Sequence, residues 1–229
     1  MDVVYMYKEA PLNWIELRYS LRSLSNIEYN NVYIVWDKPD WVKNVIHIPL
    51  KDDLGSKFQN VRRKYRRVCL DKRISNDFIM MNDDFYILKP IDRIWYYIRW
   101  KLRMVVWELQ KKVWHTMFFN AIEWVYKIYP DWECFSVHTP IVFNKRKLLK
   151  IMKKYWDTLT CKRSLYCNYY NIKWEYLKWW DTDCKLWGNK EISIWEEQEF
   201  LSSNNDMVHK WEFIKLLHKK FPHKSKYEI

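Results

Sequence analysis

Glycine is nearly missing from this chain, with two residues, Gly55 and Gly188, among 229. No GxGxxG and no GxxxxGK[ST] can be written, which excludes the glycine-rich phosphate cradles of P-loop enzymes and of the common dinucleotide-binding fingerprint. Cysteine is sparse and unpaired in pattern. Cys69, Cys134, Cys161, Cys167 and Cys184 are odd in number and contain no CxxC, so neither a disulfide framework nor a structural zinc site is indicated. That usage fits a reducing cytosol. Long apolar runs are lacking as well: the densest aromatic stretch, "IDRIWYYIRWKLRMVVWELQ", carries a basic residue every few positions and never reaches ~18 uninterrupted apolar residues, so no transmembrane span is expected. The opening "MDVVYMY" has neither the cationic start nor the apolar core of a signal peptide.

What is present in excess is aromatic and basic. Sixteen tryptophans and 17 tyrosines exceed what a core of this size needs, so either some rings face a ligand or the core is simply aromatic. A net charge of +12 favours polyanionic partners: DNA, RNA, anionic lipid or nucleotide diphosphates. The balance of 49% hydrophobic and 30% charged residues is that of a globular chain, and no low-complexity linker divides it. One domain over 1–229 is expected, with 91–130 as a helical, aromatic-rich insert or lobe.

Periodicity orders the first third. "DVVYMY" (2–7), "NVYIVW" (31–36), "NVIHI" (44–48) and "DFIMM" (77–81) read as strands. Between them, Asn13 is placed to cap a helix whose Trp14, Leu17, Leu21 and Leu24 repeat at helical spacing and face the core. Ser56 caps a second helix carrying Phe58, Val61, Tyr65 and Val68 on one face. Strand and helix alternating in this way predict an α/β fold with a mostly parallel sheet and flanking helices. Ligands of such sheets bind beyond the carboxyl ends of the strands.

"FIMMNDDFYIL" (78–88) places two adjacent carboxylates at such an end. Asp83 and Asp84 either cap a turn or bind Mn2+ or Mg2+ with a nucleotide diphosphate. His138 in "VHTP" is either a hydrogen-bonded structural residue or a further ligand, and an imidazole in the shell suits Mn2+ better than Mg2+. Arg18 and Arg22, four apart on one helix, form a phosphate clamp or a solvated face. The run 57–73 contains Lys57, Arg62, Arg63, Lys64, Arg66, Arg67, Lys72 and Arg73, a footprint fit for a nucleic acid backbone or a solvated basic face. Trp100, Trp107 and Trp114, seven apart, either pack as one helix face or meet sugars, bases or a membrane interface.

"ELRYSLRSL" (16–24), "NVYIVWDKPDWV" (31–42) and "FIMMNDDFYIL" together resemble the conserved regions of the Stealth-type sugar-phosphate transferases, and "DVVYMY" resembles a reduced form of their first strand. "HTPIVF" (138–143), "RSLYCNYYN" (163–171) and "FPHKSKYE" (221–228) look like a compact, phage-encoded branch sharing this core. The extended Trp-Val-Asp-Gly-Ser motif and the long acceptor regions of the larger members are absent. The resemblance implies a GT-A-like, Rossmann-like glycosyltransferase fold and a nucleotide-sugar donor. By it Asp83, Asp84 and His138 hold the metal, while Arg18, Arg22, Lys57, Asn60 and Asn82 line the donor. Asp84, Asp131 and Asp181 are the carboxylates expected to act in catalysis, with Glu133 and Asp183 as alternatives for the base. Arg63, Arg67, Arg163 and Asn168 are expected at the acceptor. The favoured acceptor is a hydroxymethylated base in phage DNA, in a host cytoplasm. The alternatives are a surface polysaccharide or lipid-linked acceptor with the aromatic lobe on the membrane, and a DNA-binding protein without catalysis.

Overall fold

A computed structural model describes residues 1–98, 100–110, 117–155, 161–176, 185–188, 191–192 and 194–229. Its centre is a five-stranded sheet built from β1 (Asp2–Tyr7), β2 (Val32–Trp36), β3 (Ile46–Pro49), β4 (Asp77–Met81) and β7 (Ile141–Asn144), in the order β3-β2-β1-β4-β7. The first four are parallel, and β7 pairs with β4 antiparallel. The expected α/β fold with a mostly parallel sheet is therefore what the chain adopts. Two small sheets flank it: β5 (Phe85–Ile87) with β9 (Lys185–Leu186) and β10 (Phe200–Ser203), and β6 (Tyr97–Ile98) with β8 (Glu175–Tyr176).

Alternation along the strands assigns the two faces of the sheet. Val4, Tyr33, Val35, Phe78 and Met80 pack on one side with α2 (Lys57–Leu70), α5 (Lys145–Lys154) and α6 (Lys162–Tyr169). Val3, Tyr5, Ile34, Ile79 and Met81 pack on the other with α1 (Asn13–Ser23) through Leu17 and Leu21. Within 91–130 the described residues form α3 (Leu102–Gln110) and α4 (Met117–Ile128), whose Leu102, Val106, Ile122 and Val125 join the core cluster of the α2 face. The helix α7 (Trp211–Lys220) closes a third cluster with Tyr86 and Leu201.

Three local expectations are corrected. Asn13 is inside α1 and caps nothing; Leu12 precedes the helix with φ 67°, and the Asn13 side chain instead accepts from Tyr7 Oη at 2.9 Å and from the Ala10 amide at 3.0 Å. Trp14 is 38% exposed, because it shares a face with Arg18 rather than with Leu17 and Leu21. Trp100 and Trp107, 39% and 54% exposed, are not a packed stripe; Trp114 lies outside the described residues. Ser56 does cap α2, accepting from the Gln59 amide at 3.2 Å.

Candidate functional site

Strand order locates the site. β1, β2 and β3 step one way across the sheet and β4 returns to the other side of β1, so the direction reverses between β1 and β4. A crevice opens at the carboxyl ends of strands at such a reversal. Register then says which residues stand there. Tyr7 pairs with Trp36, and Tyr5 with Met81, after which β4 leaves the sheet in the turn that carries Asp83, whose charge acts on Tyr7. Trp36, Tyr7 and the turn after β4 thus form a row along the carboxyl edge of the sheet.

The acidic end of this row is a turn. The Phe85 amide donates to the Asn82 carbonyl at 3.3 Å, and the chain re-enters the fold as β5. The turn is fastened from two sides. Ser20 Oγ of α1 donates to the Phe85 carbonyl at 2.5 Å, and the Ser203 amide of β10 donates to the Asp84 carbonyl at 3.2 Å. Both carboxylates are half-buried, and each is pushed above the ordinary carboxylate range, chiefly by burial. Asp83 is raised further by Asp84 and Glu16. Asp84 is partly relieved by Lys185, whose Nζ is 3.4 Å from Oδ2, and by the nearby His138. Among the described residues no ion pair reaches Asp83, so the turn concentrates negative charge with one lysine against it.

Glu16 and Lys185 are the site residues that sequence reasoning missed. Glu16 is 2% exposed, accepts from Ser203 Oγ at 2.7 Å, and is raised to about 7 by burial. Its spacing from Ser20, four residues on, was the available signal: both face the turn. Lys185 sits in a two-residue strand with no periodicity to mark it.

The basic end of the row is unusual in its backbone. Trp36 has φ 100°, costly for a bulky residue. Alternation would send its ring to the α1 face, yet it lies beneath the Lys64 ammonium of α2, with Lys8 Nζ 4.8 Å from the ring centre. Lys64 is 1% exposed and donates to Asp52 Oδ1 at 2.8 Å; burial nevertheless lowers its pKa to about 8.

The remaining expected residues divide clearly. Arg163 is brought to the turn, donating to the Thr139 carbonyl at 2.5 Å and lying 5.7 Å from the Phe85 ring. Arg18 and Arg22 are not. At 100° per residue they point away from Glu16 and Ser20, and Arg22 forms a bidentate pair with buried Glu228, both bonds 2.8 Å. Arg18 Nε is 3.4 Å from the same carboxylate, with its guanidinium over Trp14 and Trp41. The arginines thus clasp the "KYE" tail to α1 instead of facing a diphosphate. Asn60 spends its amide on the carbonyls of Leu54 and Ser56 and on the Leu54 amide. The Lys57 side chain, Asp181 and Asp183 lie outside the described residues. Arg63 pairs with Asp53 at 2.5 Å and Arg67 with Asp71 at 3.6 Å. Asp131 and Asn168 line a separate cavity and do not reach the turn through any observed contact.

Among the described residues no three His, Cys, Asp or Glu side chains form a ready-made metal shell. Two crowded carboxylates with raised pKa values still suit a hard divalent cation that takes the rest of its oxygen ligands from phosphate and water. No family model and no curated protein matches the chain. Solved structures similar to it include mouse xyloside xylosyltransferase 1 in its apo form, at 10% identity and TM-score 0.41, covering 79% of this chain and 90% of that one. Another is the apo glycosyltransferase GlyE of Streptococcus pneumoniae TIGR4, at 12% identity and TM-score 0.37, covering 77% and 44%. The chain thus spans less than half the length of GlyE. Among the described residues no helix is long and apolar enough to cross a membrane.

Proposed function

We propose that this chain is a glycosyltransferase that takes a sugar from a nucleoside-diphosphate donor at the β1–β4 crevice and delivers it to an acceptor hydroxyl. The observation that carries the reading is the pairing of half-buried Asp83 and Asp84 at the strand-reversal edge, with too little positive charge nearby to balance them. The resemblance of the 16–24, 31–42 and 78–88 segments to the Stealth-type transferases points the same way.

In this reading Asp83 and Asp84 would hold Mn2+ or Mg2+, and His138, which acts electrostatically on Asp84, is the candidate for a further ligand. Held there, a cation would supply positive charge against a developing diphosphate leaving group, the stabilisation that usually dominates such chemistry. Lys185 and Arg163 flank the turn and add fixed charge on the leaving group. Asn82 begins the turn and offers an amide at its rim. At the other end of the row, the Trp36 ring and Lys64 stand two strands away from β4 and would bound the nucleotide.

For the acceptor, ion pairing on α2 favours a carbohydrate hydroxyl over a hydroxymethylated base in DNA. Arg63, Lys64, Arg67 and Arg73 are each engaged by Asp52, Asp53 or Asp71, which leaves a weaker footprint for a phosphate backbone than the sequence promises. The test is release of UDP or GDP from a panel of nucleotide sugars, with Mn2+ and with EDTA, for wild type and Asp84→Asn. Metal-dependent release that falls at least a hundredfold in the variant is expected. No release from any donor, or release indifferent to the substitution, sinks the reading.

A further inference from the structure

We propose that the exposed face of α5, with the end of α4 beside it, docks this chain on an anionic lipid surface. Such docking is independent of the glycosyltransferase reading.

Charge on α5 has no counter-charge. The helix reads KRKLLKIMKK and contains no carboxylate. At about 100° per residue, Arg146, Lys147, Lys150, Lys153 and Lys154 fall within an arc of roughly 120°, while Leu148, Ile151 and Met152 are buried on the other side. All five cations are exposed, and no ion pair among the described residues reaches them. The basic run at 57–73 differs, because aspartates hold four of its side chains. Lys147 and Lys154 stand about 10 Å apart along the helix axis, close to one Debye length at physiological salt, so the fields of the five charges add.

Three of these lysines are ordered by rings. Lys147 Nζ is 5.0 Å from the centre of the Tyr170 ring, and Lys150 and Lys154 are 5.7 and 4.7 Å from that of Tyr169. Contacts of this kind hold the ammonium groups in a row before any partner arrives.

The row runs into apolar surface. Lys154 Nζ is also 5.1 Å from the Tyr155 ring, and Tyr155 meets Trp124 of α4 edge-on at 6.2 Å and 77°. Trp124 is 38% exposed, and Ile128, one turn further along, is 47% exposed. Glu123, the one acidic residue of α4, pairs with Lys127 at 3.4 Å and does not offset α5. A basic face continuous with an exposed indole and an exposed aliphatic side chain suits a bilayer: the lysines meet anionic headgroups, and the apolar side chains enter the boundary with the acyl region.

A nucleic acid fits this face less well. The Tyr169 and Tyr170 rings that could stack on bases are engaged by ammonium groups, and only Arg146 offers a fork for bidentate phosphate contact. Ile128 gains nothing from a phosphate backbone.

Vesicle flotation tests the docking on the intact chain, with phosphatidylcholine alone and with about one lipid in three replaced by phosphatidylglycerol. Circular dichroism checks the fold of each variant. Wild type is expected to float with the anionic vesicles and at least tenfold less with the neutral ones. The triple variant Lys147→Gln, Lys150→Gln, Lys154→Gln should lose that binding tenfold or more, and Ile128→Ser about threefold. A control that removes as much charge from α7, Lys215→Gln, Lys219→Gln, Lys220→Gln, should stay within about twofold of wild type. Equal flotation with both vesicles, binding retained by the α5 variant, equal loss in the α7 control, or indifference to Ile128→Ser overturns the proposal. Fluorescence anisotropy with a labelled oligothymidylate covers the other polyanion. Tighter binding to it through the same lysines, unmoved by Ile128→Ser, would assign the face to nucleic acid and remove the lipid.

Discussion

At the acidic turn, charge and burial oppose each other, and Glu16 carries the clearest consequence. Its folded pKa of about 7 lies above the ordinary 4.5, so the protonated form is favoured by folding. That contribution is complete below about pH 4.5 and is lost as pH rises through 7. Glu16→Gln keeps the side-chain shape and removes the titration. In EDTA, urea unfolding of the variant and wild type should give similar stability at pH 5. By pH 8 the variant should be the more stable, by on the order of 3 kcal/mol at 1.36 kcal/mol per pKa unit. Parallel curves across that range contradict the assignment. Arg22 makes the opposite case, a charge satisfied by structure. Arg22→Ala removes both 2.8 Å bonds to buried Glu228, leaving it Arg18 at 3.4 Å and Ser225, and should cost about 3 kcal/mol of stability, while UDP affinity in Mn2+ stays within twofold of wild type. A tenfold loss of UDP affinity in a folded variant would return Arg22 to the donor site.

Elements were legible where periodicity was long. The runs 2–7 and 77–81 are bounded by polar residues, alternate between two buried faces, and form strands with those limits. The tail was not legible, since β8, β9 and β10 have two to four residues each and owe their existence to partners distant in sequence. The same limit explains the site. Spacing said that Arg18 and Arg22 share a helix face; only the packing of α1 against the turn says that this face belongs to Glu228 and that Glu16 and Ser20 own the other. The acidic turn itself was found from sequence because it interrupts an apolar run. Scarcity of glycine also acquires a reason at this scale. Left-handed backbone is supplied by Leu12, Trp36, Asn44 and Asn171, and of the two glycines Gly188 is the one that space demands. A Cβ on Gly188 would stand 2.4 Å from Asp206 Cβ, in the turn after β9 that follows Lys185. Gly188→Ala should therefore destabilise the fold by about 1–3 kcal/mol, read from the shift of the urea midpoint at unchanged slope. An unshifted midpoint would mean that the turn relaxes freely.

Across the whole molecule, charge is less available than its total suggests. Of the basic run at 57–73, four side chains are held by three aspartates and Arg62 is buried, so part of that run's charge is balanced in place. Negative charge, by contrast, is concentrated at the sheet's reversal edge, where Lys185 and His138 act on Asp84. That contrast is the basis of the proposed function, in which the acidic turn takes a cation and a diphosphate. The most direct test is calorimetric titration of UDP and GDP into the wild type and an Asp83→Asn, Asp84→Asn double variant, each in Mn2+ and in EDTA. The account predicts binding of at least one nucleotide that tightens tenfold or more with Mn2+ and loses that gain in the double variant. Equal affinity with and without metal, or a gain that survives the loss of both carboxylates, would contradict it.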